Sequence, residues 1–251
     1  MRKIVKVRNL EIGQGIPKIC VPLVSKTDEE IIQDANNLKN FKLDLVEWRV
    51  DYYENVENLN KVKNILKVLR SILDDLPILF TFRSKREGGE KEISLEYYKK
   101  LNKEIIETKM VDLIDVELLV GDEVVKDISK FAHINNVKTV ISNHEFYNTP
   151  EKNEIISRLC KMQDLGADLP KIAVMPQNSK DVITLLTATE EMVREYSKTP
   201  IITMAMGKLG LVSRLTGEIF GSSLTFGSIK VASAPGQIRV EELQKILNII
   251  H

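Results

Sequence analysis

From Lys18 onward the chain alternates between apolar runs short enough to be strands and 3.6-residue stripes long enough to be helices, eight times in order. Strict alternation points to a parallel sheet, because parallel neighbours need a crossover between them, usually a helix. The pattern predicts strands over 18–23, 43–50, 78–82, 111–118, 137–142, 171–174, 200–206 and 224–227. Thr27 and Glu30 form a capping box for the first helix, whose stripe is Ile31, Ile32, Ala35 and Leu38. Further helices are expected over 62–73, 95–109, 123–132 and 181–196, between Leu209 and Phe220, and over 240–250. The helix after the fifth strand should start from Thr149–Pro150 and stop at Gly166. Eight such units in 251 residues suit an α/β fold of the closed (β/α)8 TIM barrel type, in a single domain spanning 1–251. The rival, an open doubly wound sheet, usually carries a glycine-rich turn after its first strand. Here that turn reads Val21–Pro22–Leu23–Val24–Ser25. Upstream, Ile4, Val5 and Val7 precede a turn at Gly13–Gln14–Gly15, which predicts an N-terminal β-hairpin capping one end of the barrel.

Charge narrows the partners. Thirty-six Lys and Arg balance thirty-six Asp and Glu, so no global field directs the chain to nucleic acid or a membrane surface. No apolar run approaches membrane-spanning length, and the start, with charged and apolar residues alternating, lacks the core of a signal peptide. Cys20 and Cys160 stand far apart in apolar segments, read as two buried structural thiols in a reducing cytoplasm.

In a barrel, chemistry sits at the carboxyl ends of the strands, and polar residues collect there. Glu47 and Arg49 lie two apart on the second strand, and so on one face. Arg83 and Glu87 follow the third strand. Asp115 and Glu117 share a face of the fourth. His144 ends the fifth. Lys171 interrupts the apolar run Leu169–Pro170–Lys171–Ile172–Ala173–Val174, where burial would favour its neutral, nucleophilic amine. Met204 and Met206 share a face of the seventh strand, Arg214 follows it, and Ser233–Ala234–Pro235–Gly236–Gln237 follows the eighth. Each has a plainer reading: Lys171 snorkelling or paired with a carboxylate, Glu47 with Arg49 as a structural ion pair, Arg214 capping a helix or pairing with Glu218. His133 falls in a helix and His251 is terminal, which leaves His144 as the histidine placed for acid–base work. Several arginines point to an anionic substrate, and a buried lysine beside a histidine points to imine chemistry. No metal-ligand spacing, P-loop or nucleophile elbow is present. No metal and no cofactor are expected.

The segments Val46–Glu47–Trp48–Arg49–Val50–Asp51, Phe80–Thr81–Phe82–Arg83–Ser84, Glu87–Gly88–Gly89, Ile141–Ser142–Asn143–His144, Leu169 to Pro176, Thr203–Met204–Ala205–Met206, Ser213–Arg214 and Ser233 to Gln237 cover nearly the whole chain. In these the chain resembles the type I 3-dehydroquinate dehydratases, Schiff-base lyases of the shikimate pathway toward chorismate and the aromatic amino acids. The resemblance implies a (β/α)8 barrel working as a homodimer on 3-dehydroquinate. It implies Lys171 as the imine lysine, His144 as general base and acid, and Glu87 orienting His144. It also implies Arg214 on the substrate carboxylate, Glu47, Arg49 and Arg83 at the ring hydroxyls, Met204, Met206 and Phe226 as apolar walls, and Ser233 and Gln237 on a closing loop. Pro22 stands where some members carry serine and would remove one minor hydroxyl contact. The alternatives are another imine-forming class I aldolase, which would need a phosphate site near the last two strands, and a non-catalytic barrel that binds an anionic metabolite.

Overall fold

The computed structural model describes residues 4–229 and 233–251; the first three residues of the charged start lie outside them. Eight parallel strands follow one another around a closed sheet: β3 (Lys18–Leu23), β4 (Leu45–Arg49), β5 (Ile78–Thr81), β6 (Leu113–Glu117), β7 (Lys138–Glu145), β8 (Leu169–Val174), β9 (Ile202–Ala205) and β10 (Leu224–Ser228). β10 pairs back onto β3, with Leu224 opposite Lys18. The last seam is the narrowest. A single parallel bridge joins Ile201 to Ser222, Ser223 N–H donates to the Ile201 carbonyl at 2.9 Å, and Thr203 N–H donates to Ser222 Oγ at 3.0 Å.

The crossovers are α1 (Asp28–Leu38), α2 (Leu59–Leu73), α3 (Leu95–Glu107), α4 (Asp122–Ile134), α5 (Lys152–Asp164), α6 (Ser179–Glu191), the short pair α7 (Leu211–Leu215) and α8 (Gly217–Phe220), and finally α9 (Val240–Ile250). The capping box at Thr27 and Glu30 forms with both hydrogen bonds present. The stripe Val62, Ile65, Leu66, Leu69 and Leu73 of α2 is buried against the sheet, where Trp48 and Phe80 meet edge-on at 5.6 Å. Full burial of such side chains, about 1.5–3 kcal/mol each, supplies the main driving force for closing the outer layer.

Four local expectations change. The hairpin does form, as β1 (Val5–Val7) and β2 (Leu10–Ile12), but it turns at Arg8–Asn9 and not at Gly13–Gln14–Gly15. Arg8 takes φ +52° there, and its guanidinium is tied to Asp112 and Asp75; side-chain anchoring thus holds a turn that glycine would make freely. α5 begins at Lys152 with Glu151 as N-cap, so Thr149–Pro150 precedes the helix and does not cap it. The expected helix over 209–220 is split at Thr216 into α7 and α8. Of the two thiols, Cys20 is buried and Cys160 only half-buried; neither is in a disulfide.

Alternate residues of each strand point inward. The lowest inward layer is apolar: Cys20, Leu45, Leu79, Leu113, Val140, Leu169, Ile202 and Leu224. Val5, Val7 and Ile12 of the hairpin pack into the same cluster and seal that end. The next residues inward, two positions on, are Glu47, Thr81, Asp115, Ser142, Lys171, Met204 and Phe226, all buried. The apolar plug therefore forms the floor beneath a polar layer that opens toward the carboxyl ends.

Candidate active site

Lys171 is 4% exposed at the centre of that layer. Its Nζ lies 3.8 Å from Glu47 Oε1, 3.9 Å from Asp115 Oδ2 and 4.4 Å from the centre of the Phe226 ring. Of the apolar neighbours seen in the sequence, Ile172 and Val174 face the helices, while Leu169 and Ala173 share the inward side of β8 with Lys171, whose amine meets carboxylates and an aromatic face. Thr81 Oγ1 donates to Glu47 Oε1 at 2.9 Å and fixes one carboxylate; Ser142 Oγ donates to Asp115 Oδ1 at 2.7 Å and fixes the other. Asp115 Oδ2, the oxygen nearest the amine, has no hydrogen bond.

Arg83 organises this floor. Its Nη1 donates to Glu117 Oε1 and Ser142 Oγ, both at 2.9 Å, and its Nη2 to Asp115 Oδ1 at 2.8 Å. Burial works against its charge, but Asp115, Glu117, Glu87 and Glu47 outweigh it and hold the guanidinium charged far above its ordinary range. Arg49 is gripped by Asp51 through Nε and Nη2, both at 2.8 Å, and lies over the Tyr52 ring. This bidentate pairing orients Arg49 toward the cavity.

His144 rises on β7 one inward step above Ser142. Its backbone N–H and its Nδ1 both meet Glu87 Oε2, at 3.0 and 2.9 Å. An oxygen that accepts a backbone N–H is best matched by a donated Nδ1–H, which leaves Nε2 with a lone pair for the cavity. Burial first, then Arg83, Lys171 and Arg49, pull the imidazole well below its usual range, so it stays neutral. Burial and the nearby Glu117 carboxylate push Glu87 up to about 8. The local turn explains how Glu87 arrives there. Gly88 sits at φ +82°, where a Cβ would lie 2.2 Å from the Phe146 ring, and a Cβ on Gly89 would lie 1.9 Å from the Arg83 carbonyl oxygen. The two glycines let the chain fold back tightly enough to set Glu87 beneath His144.

Arg214, 2% exposed, comes in from α7. Its Nη2 donates to the Pro235 carbonyl at 3.1 Å and its Nη1 approaches Met204 Sδ at 3.6 Å. Its Nε is buried without a partner, and among the described residues no carboxylate pairs with it. Burial accordingly lowers its pKa to about 10. The helix-pair alternative is not realised, since Glu218 pairs with His251. Over Arg214 lies the loop after β10, closed on itself: Ser233 N–H donates to Gln237 Oε1 and Gln237 Nε2 to Ser233 Oγ, both at 2.8 Å. Gly207 N–H donates to the Pro235 carbonyl at 3.1 Å and ties the loop to the end of β9.

All twelve candidate residues of the sequence analysis line one cavity, namely Lys171, His144, Glu87, Glu47, Arg49, Arg83, Met204, Met206, Arg214, Phe226, Ser233 and Gln237. Gly88, Phe146, Ala173 and Ala234 complete the wall. Phe146 and Ala173 were accessible to the period-2 argument, each lying two residues beyond a named candidate. A larger groove runs past Val21–Lys26 and α1, but it gathers no comparable set of charged groups. Among the described residues no cluster of His, Cys, Asp and Glu could hold a metal, and no helix is long and apolar enough to cross a membrane.

Comparison with known proteins adds an independent line. Residues 19–251 match the family model for type I 3-dehydroquinase. The 3-dehydroquinate dehydratase of Clostridioides difficile is 59% identical over 251 residues, covering 100% of this chain and 98% of that protein. The 3-dehydroquinate dehydratase of Clostridium botulinum is 58% identical over 251 residues, covering 100% and 99%. A crystal structure of the C. difficile type I enzyme, with covalent modified comenic acid, superimposes with a TM-score of 0.97 over 100% of this chain and 98% of that one.

Proposed function

The chain belongs to the type I 3-dehydroquinase family and is a 3-dehydroquinate dehydratase of the shikimate pathway; from that premise we propose that it works through an imine on Lys171, with His144 as general base and acid. The Lys171 amine adds to the C3 ketone of 3-dehydroquinate, and loss of water gives a protonated imine. This cation is an electron sink, so the C2–H beside it becomes acidic. His144 Nε2 takes that proton. The resulting enamine expels the C1 hydroxyl, which leaves as water with the proton that His144 returns. Hydrolysis of the conjugated imine then releases 3-dehydroshikimate and the amine. Asp115 Oδ2 and Glu47 lie where they would offset the charge of the protonated imine.

The remaining side chains hold the ring. Arg214, a buried cation with no carboxylate partner among the described residues, suits the substrate carboxylate. Glu47 and Arg49 suit the ring hydroxyls. Arg83, with its donors committed to Glu117, Ser142 and Asp115, supports the floor beneath them. Met204, Met206 and Phe226 exclude water, and the Ser233–Gln237 loop covers the mouth. The reaction written this way needs neither metal nor organic cofactor. The covalent adduct reported for the C. difficile relative is in keeping with this chemistry. We also take the chain to act as a homodimer in the cytoplasm. Ile183, Val212 and Ile219, exposed on α6, α7 and α8, offer apolar area for a partner copy, and unpaired thiols suit a reducing compartment.

The observation that carries the reading is that one cavity holds Lys171, His144 and Arg214, the last without a carboxylate partner among the described residues. Borohydride reduction in the presence of 3-dehydroquinate, followed by intact mass and peptide mapping, tests it. A ligand adduct on Lys171 in the wild type and none in Lys171→Ala is expected; trapping at another lysine would overturn the assignment.

A further inference from the structure

Glu87 Oε2 is fully engaged by His144, but Glu87 Oε1 is buried and without a well-formed partner. The same is true of Asn143 Nδ2. Asn143 is the residue next to His144, fully buried and facing away from the cavity. Its other amide atom is spoken for. Arg158, reaching up from α5, donates Nη1 to Asn143 Oδ1 at 2.7 Å and is itself held by Glu145 and by Glu154, the latter at 2.7 Å through Nε. With Oδ1 pinned, the amide has one remaining orientation, NH2 toward Glu87, whose carboxyl lies within reach of that side chain. An orphan buried donor beside an orphan buried acceptor is a pair that costs least when it closes.

Building on the reading of His144 and Glu87 given above, we propose that Asn143 is a positioning residue for that pair: Arg158 fixes its amide so that Nδ2 donates to Glu87 Oε1 and keeps Oε2 aimed at both N–H groups of His144. The arrangement links a partly exposed ion-pair cluster of Arg158, Glu154 and Glu145 to the catalytic base through two side chains, with Asn143 never touching the substrate. It also sets the sign of a pH effect. A donor on Oε1 favours the carboxylate, opposing the burial and the Glu117 and Asp115 charges that raise Glu87, and acting in the same sense as Arg83 at 3.7 Å. Arg83, Lys171 and Arg49 are the charges facing His144 and stay unchanged. The pair titrates as one unit. Loss of the Asn143 donor should therefore let the pair take up a proton at higher pH, so that the carboxylate form of Glu87 that accepts both N–H groups of His144 is lost earlier on acidification.

The test is the pH profile of kcat/KM for the full-length wild type, Asn143→Leu, Arg158→Met and His144→Ala, with melting temperature measured alongside. Asn143→Leu keeps the volume and deletes the donor; its acid limb should move up by roughly one pH unit, the size expected for one hydrogen bond to a charged group. Arg158→Met, at a half-exposed position, should shift the limb in the same direction by less, because the freed amide can flip. An unmoved limb in both variants, whatever the melting temperature, overturns the proposal and leaves Asn143 as a tie between β7 and α5. If Asn143→Leu fails to fold, Arg158→Met decides alone by the same criterion. His144→Ala separates the two levels: near-normal turnover in it would sink the underlying assignment of the base, whereas a crippled His144→Ala with unmoved Asn143 and Arg158 profiles would sink only the role of Asn143.

Discussion

Arg214→Met should make the ligand-free protein more stable and the enzyme worse. The guanidinium is 2% exposed, has no carboxylate partner among the described residues, and has its pKa lowered to about 10 by burial. At 1.36 kcal/mol per pKa unit, that drop corresponds to roughly 3 kcal/mol against the charged form. The sign follows from linkage. The unfolded chain holds the Arg214 proton more tightly than the folded one, so the penalty is fully present below pH 10 and fades only as pH rises through that value. Methionine carries no charge and has an unbranched, adaptable side chain. Its gain is offset by loss of the hydrogen bond to the Pro235 carbonyl, worth about 1 kcal/mol. The net is about 2 kcal/mol, or roughly 4–8 °C in melting temperature for a chain of this size. With substrate the balance reverses. A carboxylate brought against Arg214 meets a cation that burial has already stripped of water, so losing that cation should lower kcat/KM by about 10²-fold or more. Differential scanning calorimetry with and without 3-dehydroshikimate reads both effects: the product should raise the melting temperature of the wild type and leave that of Arg214→Met nearly unmoved. A variant with lower ligand-free melting temperature and unchanged KM and kcat would refute the argument and make Arg214 a packing residue.

Three further outcomes are expected. His144→Ala should still be trapped to some extent as an imine by borohydride but lose about 10²–10⁴-fold or more in turnover, the usual weight of acid–base catalysis; normal turnover would exclude the role. Gln237→Ala, which removes the side chain that staples the loop to Ser233, should raise KM more mildly than Arg214→Met, and an effect as large as that of Arg214→Met would mean that Gln237 itself binds the carboxylate. Activity should survive exhaustive dialysis against a chelator, and a loss restored by zinc or magnesium would contradict the mechanism.

Much of the fold was legible because strand and helix periods differ and the chain keeps to them. The inward set could be read by counting in twos from Glu47, Lys171 or Met204. What escaped depends on contacts that one segment's pattern does not contain. Arg8 holds a left-handed turn because Asp112 and Asp75, some seventy to a hundred residues away in sequence, anchor it. Thr149–Pro150 looks like a helix start by local chemistry, yet α5 begins only at Lys152. Lys171 was read from its apolar neighbours, but its environment is set by Glu47 and Asp115 on other strands. Arg83 reads as a substrate arginine by motif and is committed to three protein partners by geometry.

The strict in–out alternation along the strands also bears on how the chain finds its register. On β4, Val46 and Trp48 face the helices while Leu45, Glu47 and Arg49 face the axis; on β6, Ile114 and Val116 alternate with Asp115 and Glu117. A slip of one residue would turn every such strand over. It would drive carboxylates and guanidinium groups into hydrocarbon, away from the partners that neutralise them here. Each stranded charge costs several kcal/mol, so a single misregistered strand would forfeit much of a typical domain's net stability of about 5–15 kcal/mol. The charged residues that line the candidate site and its floor thus also proofread the folding of the barrel.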